Sequence, residues 1–165
     1  MNDVIKDLSE LRLSYQKGEL HEAHVDKNPH VQFLTWFNAS LEAKLHEPYA
    51  MSLATANAQG RPHVRTVLLR GATEAGYDFY SNYDSQKGLD LISNPYAELL
   101  FYWPELERQI RVSGKVEKIS LVESTDYYHN VHVIAKLQRT LVRRKVVSLP
   151  VVKNCKRVSK PCKIG

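Results

Sequence analysis

At Tyr49 the apolar period of the chain changes from nearly four to two, and it holds near two, with short interruptions, as far as Ile119. A period of two is the spacing of a strand with one buried face. Met51, Leu53 and Thr55 alternate with Ala50, Ser52 and Ala54, and a turn follows at Asn57 to Gly60. Val64 to Leu69 makes a second strand, Thr73 to Gly76 a turn, and Tyr77 to Ser81 a third strand rich in aromatic residues. Ser85 can cap a short helix that runs through Ile92 and is closed by Asn94-Pro95. Two longer strands, Ala97 to Trp103 and Arg108 to Ile119, are separated by Pro104-Glu105. Turns this short join antiparallel neighbours, so the pattern predicts an α+β, mainly β fold closing toward a small barrel.

Helices flank that sheet in sequence. Leu8, Leu11 and Tyr15 follow Asn2-Asp3 at helical spacing and stop at Lys17-Gly18. A second helix is capped by Asn28, starts on Pro29, and places Phe33, Phe37, Leu41 and Leu45 along an apolar stripe that should face the core. Ser120 and Glu123 form a capping box for a final helix carrying Tyr127 and Tyr128.

At 165 residues the chain suits one domain. No apolar run is long enough to span a bilayer and the first ten residues hold no apolar signal core, so no membrane partner and a cytoplasmic location are expected. The two cysteines, Cys155 and Cys162, match neither a zinc pair nor a redox motif, and no metal is expected. The formal charge of +5 is unevenly placed: of 23 Lys and Arg, ten follow His129, where none of the 18 Asp and Glu occurs. The part through His129 is therefore net acidic and only the tail is basic. That tail lacks Phe, Tyr and Trp for base stacking, so its Arg143-Arg144-Lys145 run predicts nonspecific adhesion at most, and no nucleic-acid partner.

Three segments could carry chemistry, each with a plain structural alternative. R-T-V-L-L-R, Arg65 to Arg70, sets two guanidinium forks on one strand, a good match to phosphate oxygens; the alternative is an amphipathic strand with solvated arginines. Five residues of separation put those arginines on opposite faces unless a bend intervenes. F-Y-S-N-Y-D-S-Q-K, Phe79 to Lys87, brings hydroxyls, helix N-terminal N–H groups and a lysine together as a phosphate cradle, or else shows only N-capping by Ser85. In E-R-Q-I-R-V-S-G-K-V-E, Glu107 to Glu117, the alternation sets Gln109, Arg111 and Ser113 on one face, where Gln109 can offer both donor and acceptor to a flavin-like ring edge or lie on a surface strand. His63 and His129 lack an evident carboxylate partner, and the reading preferred for both is structural. No P-loop or G-x-G-x-x-G occurs.

Together with L-R-L-S-Y-Q-K-G-E-L, E-A-K-L-H-E-P-Y-A-M and D-Y-Y-H, these segments, in this order from Leu11 to His129, resemble the pyridoxine/pyridoxamine 5′-phosphate oxidase family. The resemblance implies an FMN-binding split β-barrel, antiparallel and Greek-key-like, with N-terminal helices, working as a homodimer. It implies oxidation of pyridoxine or pyridoxamine 5′-phosphate to pyridoxal 5′-phosphate with O2 as acceptor. The chemistry is the flavin's, and the protein positions substrate and tunes the ring. Carried over by motif, the FMN-binding residues are Arg65, Thr66, Val67, Leu68, Leu69, Arg70, Tyr80, Ser81, Gln86, Lys87 and Gln109. The substrate-binding residues are Arg12, Tyr15, Arg70 and Tyr127, with Arg12 and Tyr15 on a segment that closes over the substrate; no catalytic side chain is assigned. The family usually has Lys at position 70 and commonly Arg at 86, where this chain has Arg70 and Gln86. A flavin- or haem-binding protein without this catalysis is the alternative on the same fold.

After D-Y-Y-H the resemblance stops. The family continues close to K-R-P-R-D-S-Q-I, whereas this chain reads N-V-H-V-I-A-K-L. CAT AAA CGT CCA CGT GAT AGC CAA ATT encodes the family run, and loss of one A gives codons for His129, Asn130, Val131, His132, Val133, Ile134, Ala135 and Lys136. The sequence therefore divides into an oxidase-like domain over 1–129 and a basic tail over 130–165. The tail is expected to be out of frame and poorly folded, leaving the barrel's C-terminal part incomplete and its edges exposed.

Overall fold

The computed structural model describes Leu20, residues 22–119 and the backbone of residues 141–149. The helices expected around Leu8 to Tyr15 and after Ser120 lie outside the described residues, as do Arg12, Tyr15, Tyr127, His129, Cys155 and Cys162.

Helix α1 spans Pro29–Glu42. Asn28 stands extended before it and its side chain accepts a hydrogen bond from the His30 amide at 2.9 Å, one of the N–H groups a helix cannot satisfy itself. The strands are β1 Ala50–Ala56, β2 Pro62–Thr73, β3 Gly76–Asn82, β4 Tyr96–Trp103 and β5 Arg108–Lys118, with helix α2, Gln86–Ser93, between β3 and β4. A further strand, β6, Leu141–Leu149, pairs antiparallel with both β3 and β5 and closes the barrel in the order β1-β2-β3-β6-β5-β4.

The period-two reading locates the wall. Met51, Leu53 and Thr55 are buried while Ala50, Ser52, Ala54 and Ala56 are less so, and Ile110, Val112 and Val116 of β5 point inward between more exposed neighbours. Because the strands are antiparallel, the end of β4 meets the start of β3 at one mouth, where α1 sits: Phe33 packs against Tyr77 and Phe101, and Phe37 against Trp103. At the opposite mouth the end of β1 meets the start of β2, and there α2 is attached.

One helix departs from the sequence reading. The four-residue stripe of α1 is only partly core: Phe33 is 1% exposed but Leu41 is 48% exposed. Steps of four residues overshoot a turn by about 40°, so a strict i+4 series winds off the buried face within two steps. Strand β6 lies inside 130–165, the stretch set apart in the sequence as a basic tail. L-V-R-R-K-V-V-S-L is rich in valine, which suits a strand, and β3 and β5 each offer it an unpaired edge.

Candidate functional site

The polar end of the barrel is built from the start of α2. Ser85 is extended at the N-cap, and its hydroxyl accepts from the Gly88 amide at 3.4 Å and from Lys87 Nζ at 3.0 Å while donating to the Asn82 carbonyl at 2.6 Å. That tight turn demands glycine at position 88. A Cβ there would lie 2.0 Å from the Tyr83 carbonyl oxygen and 2.7 Å from that of Asn82, and both obstacles are backbone. Gly88→Ala is accordingly expected to lower unfolding free energy by about 1–3 kcal/mol, through displacement of α2. Urea denaturation that left the midpoint unchanged would contradict this close approach.

One turn further on, Asp90 is sealed, with its carboxylate 0% exposed. Thr55 Oγ1 from β1 donates to Oδ2 at 2.6 Å, His63 Nδ1 from β2 meets the same oxygen at 2.9 Å, and Gln86 Nε2 donates to Oδ1 at 2.9 Å. Arg65 completes the cluster: Nη1 donates to Thr55 Oγ1 at 2.8 Å and to the Leu53 carbonyl at 3.2 Å, and Nη2 lies 3.8 Å from Asp90 Oδ2. Burial alone would push the Asp90 carboxyl up. The hydrogen bonds from Thr55, Gln86 and His63, with the charge of His63, outweigh it and hold the group below the ordinary carboxylate range. Burial lowers the Arg65 guanidinium, an effect that Asp90 opposes.

Of the expected FMN-binding residues, Arg65 and Gln86 meet on Asp90, with Lys87 and Ser85 on the adjoining first turn. Ser81 is buried and its hydroxyl donates to the Asn82 carbonyl at 3.1 Å; Tyr80 precedes it on β3. Val67 and Leu69 share the inward face with Arg65, Val67 packing on the core, while Thr66 and Leu68 occupy the other face, opposite Ser52 and Ala50. Arg70 is exposed at a bulge, where the register with β3 slips between Leu69 and Gly71. Gln109 lies opposite Tyr102 on the outer side of β5. The structure thus gathers Arg65, Gln86 and Lys87 at one mouth and leaves Arg70 and Gln109 on outer surfaces of the wall.

Sequence reading missed Asp90, Thr55 and the pairing of His63. His63 does have a carboxylate, 27 residues ahead in the chain on a different element. The available signal was an acid four residues after Gln86 in a helix with its own apolar positions, Leu89, Leu91 and Ile92.

The donors suit a phosphate monoester. A guanidinium has five N–H groups and Arg65 commits Nη1 to Thr55 and Leu53, so others remain beside a lysine and a helix start, while the Ser81 and Ser85 hydroxyls give their protons to the Asn82 carbonyl. Among the described residues no group of three or more His, Cys, Asp or Glu could hold a metal ion, and no helix is long and apolar enough to cross a membrane.

Residues 37–152 match the family model described as Pyridoxamine 5′-phosphate oxidase. The pyridoxine/pyridoxamine 5′-phosphate oxidase of Acinetobacter baylyi is 78% identical over 129 residues, covering 78% of this chain and 59% of the relative. The protein of the same name from Deinococcus deserti is 55% identical over 124 residues, covering 75% and 58%. This chain spans a little under three-fifths of the length of these relatives. Among solved structures, PhzG from Burkholderia lata, in complex with tetrahydrophenazine-1-carboxylic acid, superposes with a TM-score of 0.70 at 21% identity, over 76% of this chain and 79% of that one. A pyridoxamine 5′-phosphate oxidase-related, FMN-binding protein from Nostoc punctiforme gives 0.60 at 18% identity, over 69% and 78%. These two likenesses establish the split-barrel fold, and the match across most of the chain establishes the lineage: this protein belongs to the pyridoxamine 5′-phosphate oxidase family.

Proposed function

We propose that this chain carries the FMN-binding part of an oxidase that converts pyridoxine or pyridoxamine 5′-phosphate to pyridoxal 5′-phosphate with O2 as acceptor, as a cytoplasmic homodimer. The observation that carries the reading is the cluster of Arg65, Gln86, Lys87 and Ser85 around the start of α2, in a chain of this family. Bound flavin supplies the two-electron acceptor. In this reading Arg65 and Lys87 bind the FMN phosphate, Ser81 and Gln86 help orient it, and backbone groups of Val67 and Leu68 with the Gln109 side chain hold the ring. Arg70 and Tyr127 take the substrate phosphate, and Arg12 and Tyr15 close over it and exclude water.

The test is an absorbance scan of the purified chain, titration with FMN by fluorescence quenching, and an oxidase assay with pyridoxine 5′-phosphate. Lys87→Met is expected to weaken FMN about ten- to a hundred-fold, the worth of one charge-assisted hydrogen bond. A colourless protein that binds no FMN would overturn the reading. A yellow protein without oxidase turnover would favour the non-catalytic flavin- or haem-binding alternative.

We also propose that residues 130–165 are translated out of frame. Strand β6 is compatible with that origin, because ladder hydrogen bonds come from the backbone and ask of the side chains only strand propensity. Resequencing the gene decides it, since an intact frame through codon 130 contradicts the proposal.

A further inference from the structure

His63 and Arg65 are two residues apart on β2 and share its inward face, and both converge on Asp90 Oδ2, at 2.9 Å and 3.8 Å. An ionised carboxylate only accepts hydrogen bonds, so the contact with His63 requires a proton on Nδ1. The tautomer is thereby fixed, and Nε2 is the ring nitrogen left for a ligand. Asp90 itself is sealed, yet 27% of the His63 side chain is accessible, so the ring bridges the buried carboxylate and the surface at this mouth of the barrel.

We propose that His63, oriented by Asp90, is a further binding residue for the phosphate monoester at this mouth of the barrel, donating from Nε2 when the ring is protonated. Asp90 is the positioning residue: it touches no ligand, and it holds the imidazole and the guanidinium side by side. The inference rests on reading the α2 end as the flavin-phosphate site, and adds to it a group that makes affinity depend on pH. The charged groups on the surrounding elements are Asp90 and Lys87 on α2, Asp84 in the turn before it, Arg65 on β2 and Arg61 just before β2, while β1 contributes the neutral Thr55. Carboxylates, lysines and arginines keep their charge between about pH 6.5 and 8.5, whereas an imidazole ordinarily changes its own within or just below that window. A phosphate monoester stays largely dianionic there, because its second proton leaves near pH 6. Binding the dianion favours the imidazolium, so proton uptake accompanies binding and affinity rises as pH falls.

The experiment is FMN titration of the full chain by fluorescence quenching at intervals from pH 8.5 to 6.5, with riboflavin, which lacks the phosphate, as the parallel probe. FMN is expected to bind about ten-fold more tightly at the acid end, with no such slope for riboflavin. His63→Gln should abolish the slope and Asp90→Asn should reduce it. Nitrogen-15 NMR of the wild-type imidazole should show His63 Nε2 gaining a proton on FMN binding at pH 7.5, a readout that needs no variant to fold. FMN binding with the same slope in His63→Gln, or an imidazole unchanged by FMN, overturns the role of His63 and leaves the flavin site standing. Failure to bind FMN at any pH overturns both.

Discussion

Phe33→Ala should lower the unfolding free energy by about 3–5 kcal/mol, enough to unfold a large share of a marginally stable domain. Phe33 is 1% exposed and stands where α1 closes the barrel mouth. Its ring stacks on Phe37 at 5.6 Å between centroids and meets Tyr77 and Phe101 edge-on at 4.8 and 5.1 Å. Truncation removes all three pairs at once. Backbone of three different elements carries those partners, so the cavity has little freedom to collapse, and the loss belongs near the upper part of that range. Two comparisons isolate the cause. Phe33→Leu, which keeps most of the volume, should cost about 1–1.5 kcal/mol. Leu41→Ala, on the same helix but half exposed, should shift stability by no more than about 0.5 kcal/mol. Urea unfolding of the three variants measures this, and a Leu41 loss equal to that of Phe33 would show that α1 packs differently from the contacts described.

The contrast between Phe33 and Leu41 also marks what could be read from sequence. Capping was legible because it is local: Asn28 with Pro29, and Ser85 three residues before Gly88, satisfy donors within one turn. The inward faces of β1 and β5 were legible because alternation repeats the same instruction every second residue. What stayed hidden was decided by partners distant in sequence. Asp90 finds Thr55 across 35 positions and His63 across 27, and neither strand carries a local mark of that carboxylate. The bulge at Arg70 depends on how β2 and β3 share a register, which the segment R-T-V-L-L-R cannot specify alone. Strand β6 was hidden for another reason: its backbone pairs with edges whose existence follows only once β3 and β5 are placed.

Asp90 sets the second large effect, because four side chains from three elements lean on one buried carboxylate. Asp90→Ala should cost about 3–5 kcal/mol, since it strands the Arg65 guanidinium in a partly buried position and leaves Thr55, His63 and Gln86 without their acceptor. Asp90→Asn keeps the volume and one acceptor but loses the charge, and about 1.5–3 kcal/mol is expected at pH 7. The pH dependence distinguishes a charge effect from a packing effect. The carboxyl is held below its ordinary range in the folded protein, so on acidification the unfolded chain takes up its proton first. The stabilisation is therefore complete above about pH 5, begins to fall near the ordinary carboxylate value of about 4, and is lost as pH drops through the lower folded value. All other carboxylates are common to both proteins, so below about pH 5, where imidazoles are ordinarily charged, the difference between wild type and Asp90→Asn isolates this group. Urea midpoints taken at pH 5, 4 and 3 should show a gap that narrows over the last two. A gap that stays level down to pH 3 would mean that Asp90 acts through its shape, and that the ionised cluster joining α2 to the barrel contributes nothing to folding.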